Sequence, residues 1–139
     1  MSQDVSASLP EVGLKAEMSR TVTESDVVLF AGLTGDVNPA HMDAVAAAKG
    51  PFGERIAHGM LTGGLISAVL AMRLPGPGTI YLSQSLRFVR PVRIGDSVTA
   101  RVEVLETMPA RRRVRLATIA ANQHGETVVE GEAVVMVPE

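Results

Sequence analysis

Cysteine is absent from all 139 residues, which excludes disulfides, thiolate metal sites and a cysteine nucleophile. Aromatic residues make up only 3% of the chain and none is tryptophan, so the rings on which nucleic-acid bases stack are nearly missing. A core must instead come from Val, Leu, Ile, Ala and Met, within a hydrophobic share of 46%. Neither sign of charge dominates. Thirteen Lys and Arg stand against 15 Asp and Glu, a net charge of −2, which draws in neither polyphosphate chains nor an anionic membrane surface. Residues 1–13 lack a basic segment followed by an apolar stretch, as a secretion signal requires, and the expected location is cytoplasmic. The length suits one domain. Residues 1–12, polar and acidic with a proline, read as a flexible lead-in, and residues 13–139 as a single domain.

What is present is patterned. Leu14, Ala16 and Met18 alternate with polar neighbours, the period of a half-buried strand. Thr23 with Asp26 three positions on forms an Asp-for-Glu capping box, and apolar residues from Val27 to Leu33 then recur at helical spacing until Gly35, a C-terminal cap. Asn38-Pro39 forces a new local start, and residues 42–49 predict a short helix closed by Gly50-Pro51. From Gly59 to Leu74 the chain reads GMLTGGLISAVLAMRL, apolar nearly all round, which predicts a helix buried on every side. Its 16 residues, with internal glycines and Arg73, fall short of the roughly 20 that span a bilayer. Strands are predicted over 79–90, 97–106, 112–122 and 127–137, with Ile80, Leu82, Leu86 and Phe88 on one face. Val98, Ala100, Val102 and Val104 share another face, continued by Val114, Leu116, Thr118 and Ala120. One apolar helix followed by consecutive antiparallel strands implies an α+β arrangement, a sheet curled around that helix.

No phosphate-binding loop, G-x-S-x-G elbow or H-E-x-x-H helix occurs. The informative polar residues lie in two segments. In the first, Asp36 and His41 stand five apart across Asn38-Pro39, between two helices. They read either as turn residues and a surface histidine, or as an acid/base pair able to orient and deprotonate one water. In the second, His58-Gly59 precedes the apolar helix. The Gly59 N–H is then an unsatisfied N-terminal donor, a seat for a carbonyl oxygen that gains negative charge. His58 reads as a packing or capping residue or as a group in the pocket, and Ser67 as a satisfied core hydroxyl or a pocket donor. Arg87, Arg90, Arg93 and Arg111 to Arg113 read as solvated strand residues or as donors to phosphate. His124, in a Gly-containing turn, has no assigned role.

Taken together, G-D-x-N-P-x-H at 35–41, I-A-H-G-M at 56–60 and S-L-R-F-V-R-P-V-R-I-G-D at 85–96 resemble the MaoC-like (R)-specific enoyl-CoA hydratases, in particular the short single-domain enzymes of polyhydroxyalkanoate synthesis. The resemblance covers roughly residues 14–137. It implies a hot-dog fold, a homodimer, and a lyase of fatty acid metabolism that hydrates trans-2-enoyl-CoA to (R)-3-hydroxyacyl-CoA. It further implies that Asp36 and His41 hold the water, that Gly59 receives the thioester oxygen, and that Asn38, His58 and Ser67 line the pocket. The reaction needs a base, an acid and an oxyanion donor, so neither a cofactor nor a metal is expected, and neither a nucleic-acid nor a membrane partner. A hot-dog acyl-CoA thioesterase is the nearest alternative. A hydratase of branched, dicarboxylic or carrier-bound acyl thioesters is a second, and a non-catalytic acyl-CoA-binding module a third.

Overall fold

The computed structural model describes residues 8–139. Of the lead-in expected over residues 1–12, residues 1–7 lie outside the described residues, and Leu9 packs against the core. Strand β1 (Lys15–Thr21) leads into helix α1 (Glu24–Thr34), the short helices α2 (Pro39–Met42) and α3 (Ala44–Ala48), and the longer α4 (Gly59–Met72). Strands β2 (Ile80–Gln84), β3 (Arg87–Phe88), β4 (Ser97–Met108), β5 (Arg113–Ala121) and β6 (Thr127–Met136) follow. The sheet runs β1-β4-β5-β6-β2, with β3 also paired to β6, and each of these pairings is antiparallel. Curled about α4, it has the hot-dog arrangement.

Period-two burial builds the concave face. Val98, Ala100, Val102 and Val104 of β4, Val114, Leu116, Thr118 and Ala120 of β5, and Val128, Ala133 and Val135 of β6 are buried and meet Ile66, Val69 and Leu70 of α4. Two elements depart from expectation. Helix α4 is not buried on every side: Leu61, Thr62, Gly63, Ile66, Val69 and Leu70 are covered, but Met60 and Met72 are 55% and 62% exposed, because one sheet wraps only one side of a helix. The predicted strand 79–90 breaks in two, with a register shift between Tyr81 and Ser83. An extra residue at that point ends the alternation, so Ile80, Leu82, Leu86 and Phe88 do not share a face. Leu86 and Phe88 both reach α4, at Gly63 and Gly59, while Ile80 and Leu82, on the other side of the bulge, are 43% and 42% exposed.

Local chemistry sets the elements that carry the site. At the start of α1, Asp26 N–H donates to Thr23 Oγ1 at 3.2 Å and Thr23 N–H donates to Asp26 Oδ2 at 2.9 Å, closing the capping box. Arg20 donates to the same carboxyl and, with the Thr23 N–H, holds its pKa down at about 2. At the other end Gly35 is left-handed, φ 82, and its N–H caps onto Ala31 O. The single helix expected over 42–49 is instead α2 and α3, because Asp43 breaks it: Oδ1 accepts from the N–H groups of Val45 and Ala46, starting α3 anew.

Candidate active site

The end of α1 at Gly35 places Asp36 in the connection to α2. Asp36 N–H donates to Thr34 Oγ1 at 3.2 Å, and the Asn38 N–H donates to Asp36 Oδ1 at 3.2 Å, leaving Oδ2 outside this local turn. Asn38 Oδ1 accepts from Ala40 N–H at 2.9 Å and Pro39 fills the first turn. The Asn38 oxygen is therefore engaged as the cap of α2, the helix that carries His41. Arg55 braces this helix from outside. Its Nε donates to His41 O at 2.6 Å and its Nη1 contacts both oxygens of Glu24 at 2.9 Å.

A carboxylate oxygen of Asp36 and one ring nitrogen each of His41 and His58 lie within 4.8 Å of one another. His41 Nδ1 stands 2.7 Å from Ile56 O. A carbonyl only accepts, so Nδ1 carries the proton and Nε2 of the neutral ring keeps a lone pair, the form a general base requires. His58 has the opposite tautomer for the same reason, with Nε2–H donating to Asp36 O at 2.8 Å. The two imidazoles stack with centroids 3.9 Å apart and planes 28° from parallel. In-plane lone pairs on nearly parallel rings do not converge on one ion, so the trio is poorly shaped to share a metal. The exposed Asp36 carboxylate and a ring nitrogen of His41, within 4.8 Å of each other, span a gap that one water can bridge.

Gly59 opens α4 immediately after His58. As the first helical residue its N–H has no acceptor one turn back, and it sits at the positive end of the helix dipole. A cavity of about 230 Å³ adjoins it, lined by Gly59, Thr62, Phe88, Val92 and Val129 among others. A Cβ at Gly59 would meet the Phe88 ring at 2.7 Å, so only glycine lets ring and helix start approach this closely. Ser67 lies apart, half-buried and about 12 Å further along α4 by helical rise. A larger hollow, about 830 Å³, lies over another part of the sheet, lined by Lys15, Arg87, Arg101, Glu103, Glu130 and Glu132 among others, and Asp36, Asn38, His41, His58, Gly59 and Ser67 are not among its lining residues.

The segments 35–41 and 56–60 thus bring Asp36, His41, His58 and Gly59 to one place. The MaoC-like domain model matches residues 5–127. The chain belongs to the MaoC-like family. Among MaoC-like relatives, it is 55% identical over 129 residues to the 3-hydroxybutyryl-CoA dehydratase of Methylorubrum extorquens, covering 93% of this chain and 82% of that protein. It is 45% identical over 134 residues to the (R)-specific enoyl-CoA hydratase of Aeromonas caviae, covering 96% of this chain and all of that one, 100%. The unliganded structure of the R-hydratase PhaJ1 from Pseudomonas aeruginosa superposes with a TM-score of 0.89 at 57% identity, over 94% of this chain and 83% of that one. The A. caviae (R)-hydratase structure gives 0.91 at 45% identity, over 95% of this chain and 100% of that one.

Some residues around this candidate site were not visible to motif reading. Ile56 contributes only a carbonyl, which any residue carries. Arg55 and Phe30, whose ring centroid lies 4.7 Å from that of His58, stand on ordinary helical and turn positions. Thr62 did leave a signal, a hydroxyl in an apolar helix. It is fully buried, and its Oγ1 has no hydrogen-bond partner among the described residues. Four of the candidate arginines are engaged with protein groups: Arg87 pairs with Glu130 at 2.9 Å, Arg93 with Glu54 at 3.7 Å, Arg90 donates to Thr127 O at 2.9 Å, and Arg112 to Val137 O at 3.0 Å. His124 is exposed in the 122–126 turn.

Proposed function

We propose that this chain is an (R)-specific enoyl-CoA hydratase, adding water across the double bond of a trans-2-enoyl-CoA and, in reverse, dehydrating (R)-3-hydroxyacyl-CoA. The observation that carries the reading is the Asp36 carboxylate within 4.8 Å of a ring nitrogen of His41, on an imidazole whose Nδ1 is held by Ile56 O, next to a helix start whose first residue lines a cavity. The relatives named for hydration and dehydration of such thioesters support the substrate class and the hand. Water held by Asp36 and His41 loses a proton to the pair as its oxygen bonds to C3. The π electrons move through C2 onto the thioester oxygen, where Gly59 N–H and the α4 dipole stabilise the enolate. The proton returns to C2 as the enolate collapses. The proton transfers are assigned to Asp36 and His41 jointly. A planar enoyl group pinned at its carbonyl presents one face to this water, so one enantiomer forms.

With crotonyl-CoA, the conjugated absorbance is expected to fall with no free thiol released, and chiral analysis to give the R alcohol. Thiol release that matches substrate loss would mean a thioesterase and would overturn the reading.

The chain is also expected to act as a homodimer. Among the described residues the β2 edge pairs only with β6, and it exposes Ile80, Tyr81 and Leu82 at 43%, 41% and 42%. The opposite edge, β1, presents Lys15, Glu17, Ser19 and Arg20. An open apolar edge favours pairing with a second copy, and a charged one resists it. Light scattering at micromolar concentration is expected to give twice the chain mass. A fully active monomer would refute it.

A further inference from the structure

His58 is 2% exposed, and the steps above leave it without a task. Both of its nitrogens are withdrawn from the open side of the site. Nε2–H is bound to the main-chain oxygen of Asp36 at 2.8 Å, and Nδ1 is buried with no partner among the described residues. Nor does it cap α4, since no side-chain bond closes onto the helix start. What it touches is the catalytic machinery itself: its face lies on the His41 ring at 3.9 Å, and Phe30 of α1 closes against it at 4.7 Å. One ring from the start of α4 thereby joins α1, the Asp36 turn and α2.

The bond to Asp36 differs in kind from the others on this turn. Gly35 N–H reaches Ala31, Asp36 N–H reaches Thr34, Val37 N–H reaches Gly35, and Asn38 O accepts from His41 and Met42. Each spans four positions or fewer and leaves the turn free to move as a unit. The His58 bond spans 22 positions and ties the turn to the helix whose N-terminus receives the thioester oxygen. From this geometry we infer that His58 is a positioning residue. Resting on the hydratase reading, the assignment is that His58 sets the position of Asp36 through its carbonyl and of His41 through ring stacking, relative to Gly59, and exchanges no proton with substrate.

The test compares wild type with His58→Gln, His58→Phe and His58→Ala, each checked for native circular dichroism. Gln carries an amide N–H to about the place of Nε2; Phe refills the volume and keeps a ring but donates nothing. The expected result with crotonyl-CoA is a loss of about 10²-fold in kcat for Phe and Ala, the scale of an ångström-sized misplacement, with KM within about threefold. His58→Gln is expected to recover at least roughly tenfold of that loss. A residue that only fills the core would give the reverse order, Phe above Gln, and that order overturns the inference, as does a rise in KM with kcat unchanged. Should the variants unfold, 15N-histidine NMR of the wild-type fold at pH 8, with His124→Gln to simplify the spectrum, decides instead: a proton on Nε2 of His58 supports the assignment, and a proton on Nδ1 overturns it. Wild type that leaves crotonyl-CoA unchanged would sink the hydratase reading and not the His58 geometry, which the NMR reads without turnover.

Discussion

Asp36→Asn and His41→Asn are each expected to keep the fold and to lose roughly 10²- to 10⁴-fold in kcat on crotonyl-CoA, the usual contribution of a general acid or base. Both substitutions are chosen to leave the local structure intact. Asp36 Oδ1 accepts from the Asn38 N–H, and the amide oxygen of Asn accepts the same bond, so the turn survives while the carboxylate is lost. The Nδ2 of Asn stands about where His41 Nδ1 does, within reach of Ile56 O, so α2 keeps its tie while the Nε2 lone pair is removed. Stopped-flow loss of the enoyl absorbance gives the rate, and thermal melting checks the fold. A turn residue tolerates Asn as well as Asp. Near-wild-type turnover in Asp36→Asn would therefore return Asp36 to a purely structural part, and the acid/base pair would have to be sought elsewhere.

The second large effect is one of stability. Gly131→Ala is expected to destabilise the protein by about 3 kcal/mol, the upper range for forcing extra volume into a packed site, and to lower Tm by roughly 10 °C. Gly131 lies within β6 opposite Thr118, where Ser85 and Leu86 cross between β2 and β3. A Cβ there would stand 1.8 Å from Ser85 O, 2.7 Å from Ser85 C and 3.3 Å from Leu86 Cα. All three are backbone atoms, and no rotamer change relieves them. The crossing is itself pinned, with Ser85 N–H on Glu132 O at 2.9 Å and Glu132 N–H on Ser85 Oγ at 3.0 Å. Relief therefore means breaking these bonds and moving the segment that leads to Phe88 and the Gly59 cavity. Gly32→Ala is the control. It lies inside α1, exposed, with nothing within 4 Å of an added Cβ, and is expected to be neutral or to stabilise by up to about 1 kcal/mol. Calorimetry of the two variants checks the contrast, and a Gly131→Ala Tm within about 2 °C of wild type would show that the crossing yields easily.

Most elements that are set by neighbours in the chain were legible before the structure. Thr23 with Asp26 marked the start of α1 and Gly35 its end, because a capping box and a left-handed glycine act within a few residues. The alternation from Val98 to Val104 and from Val114 to Ala120 marked which faces of β4 and β5 are buried, because side chains on a strand point to opposite sides in turn. For the site, the spacing of Asp36, Asn38-Pro39 and His41 was legible as a turn between helices that carries a carboxylate and an imidazole, and His58-Gly59 as a helix start. Where the reading missed, the cause lay in contacts between distant segments. The break of 79–90 at Ser85-Leu86 follows from how the chain between β2 and β3 passes over Gly131. The exposed stripe of Met60 and Met72 follows from how far one sheet curls.

The sequence by itself determined which chemical groups exist, where α1 begins and ends, which faces of β4 and β5 are buried, and that a carboxylate and an imidazole share one turn ahead of a helix start at His58-Gly59. Only the tertiary structure decided how they meet. The proton on His41 sits on Nδ1 because Ile56 O, 15 positions away, is 2.7 Å from it. Asp36 is tied to α4 because a histidine 22 positions away reaches its carbonyl. Phe88 closes on Gly59 because β3 docks on β6. Capping, turns and periodicity are energies of adjacent residues and can be read in order along the chain. A tautomer, a ring stack and a cavity wall are energies of groups brought together by packing, and they take definite values only once the sheet has closed around α4.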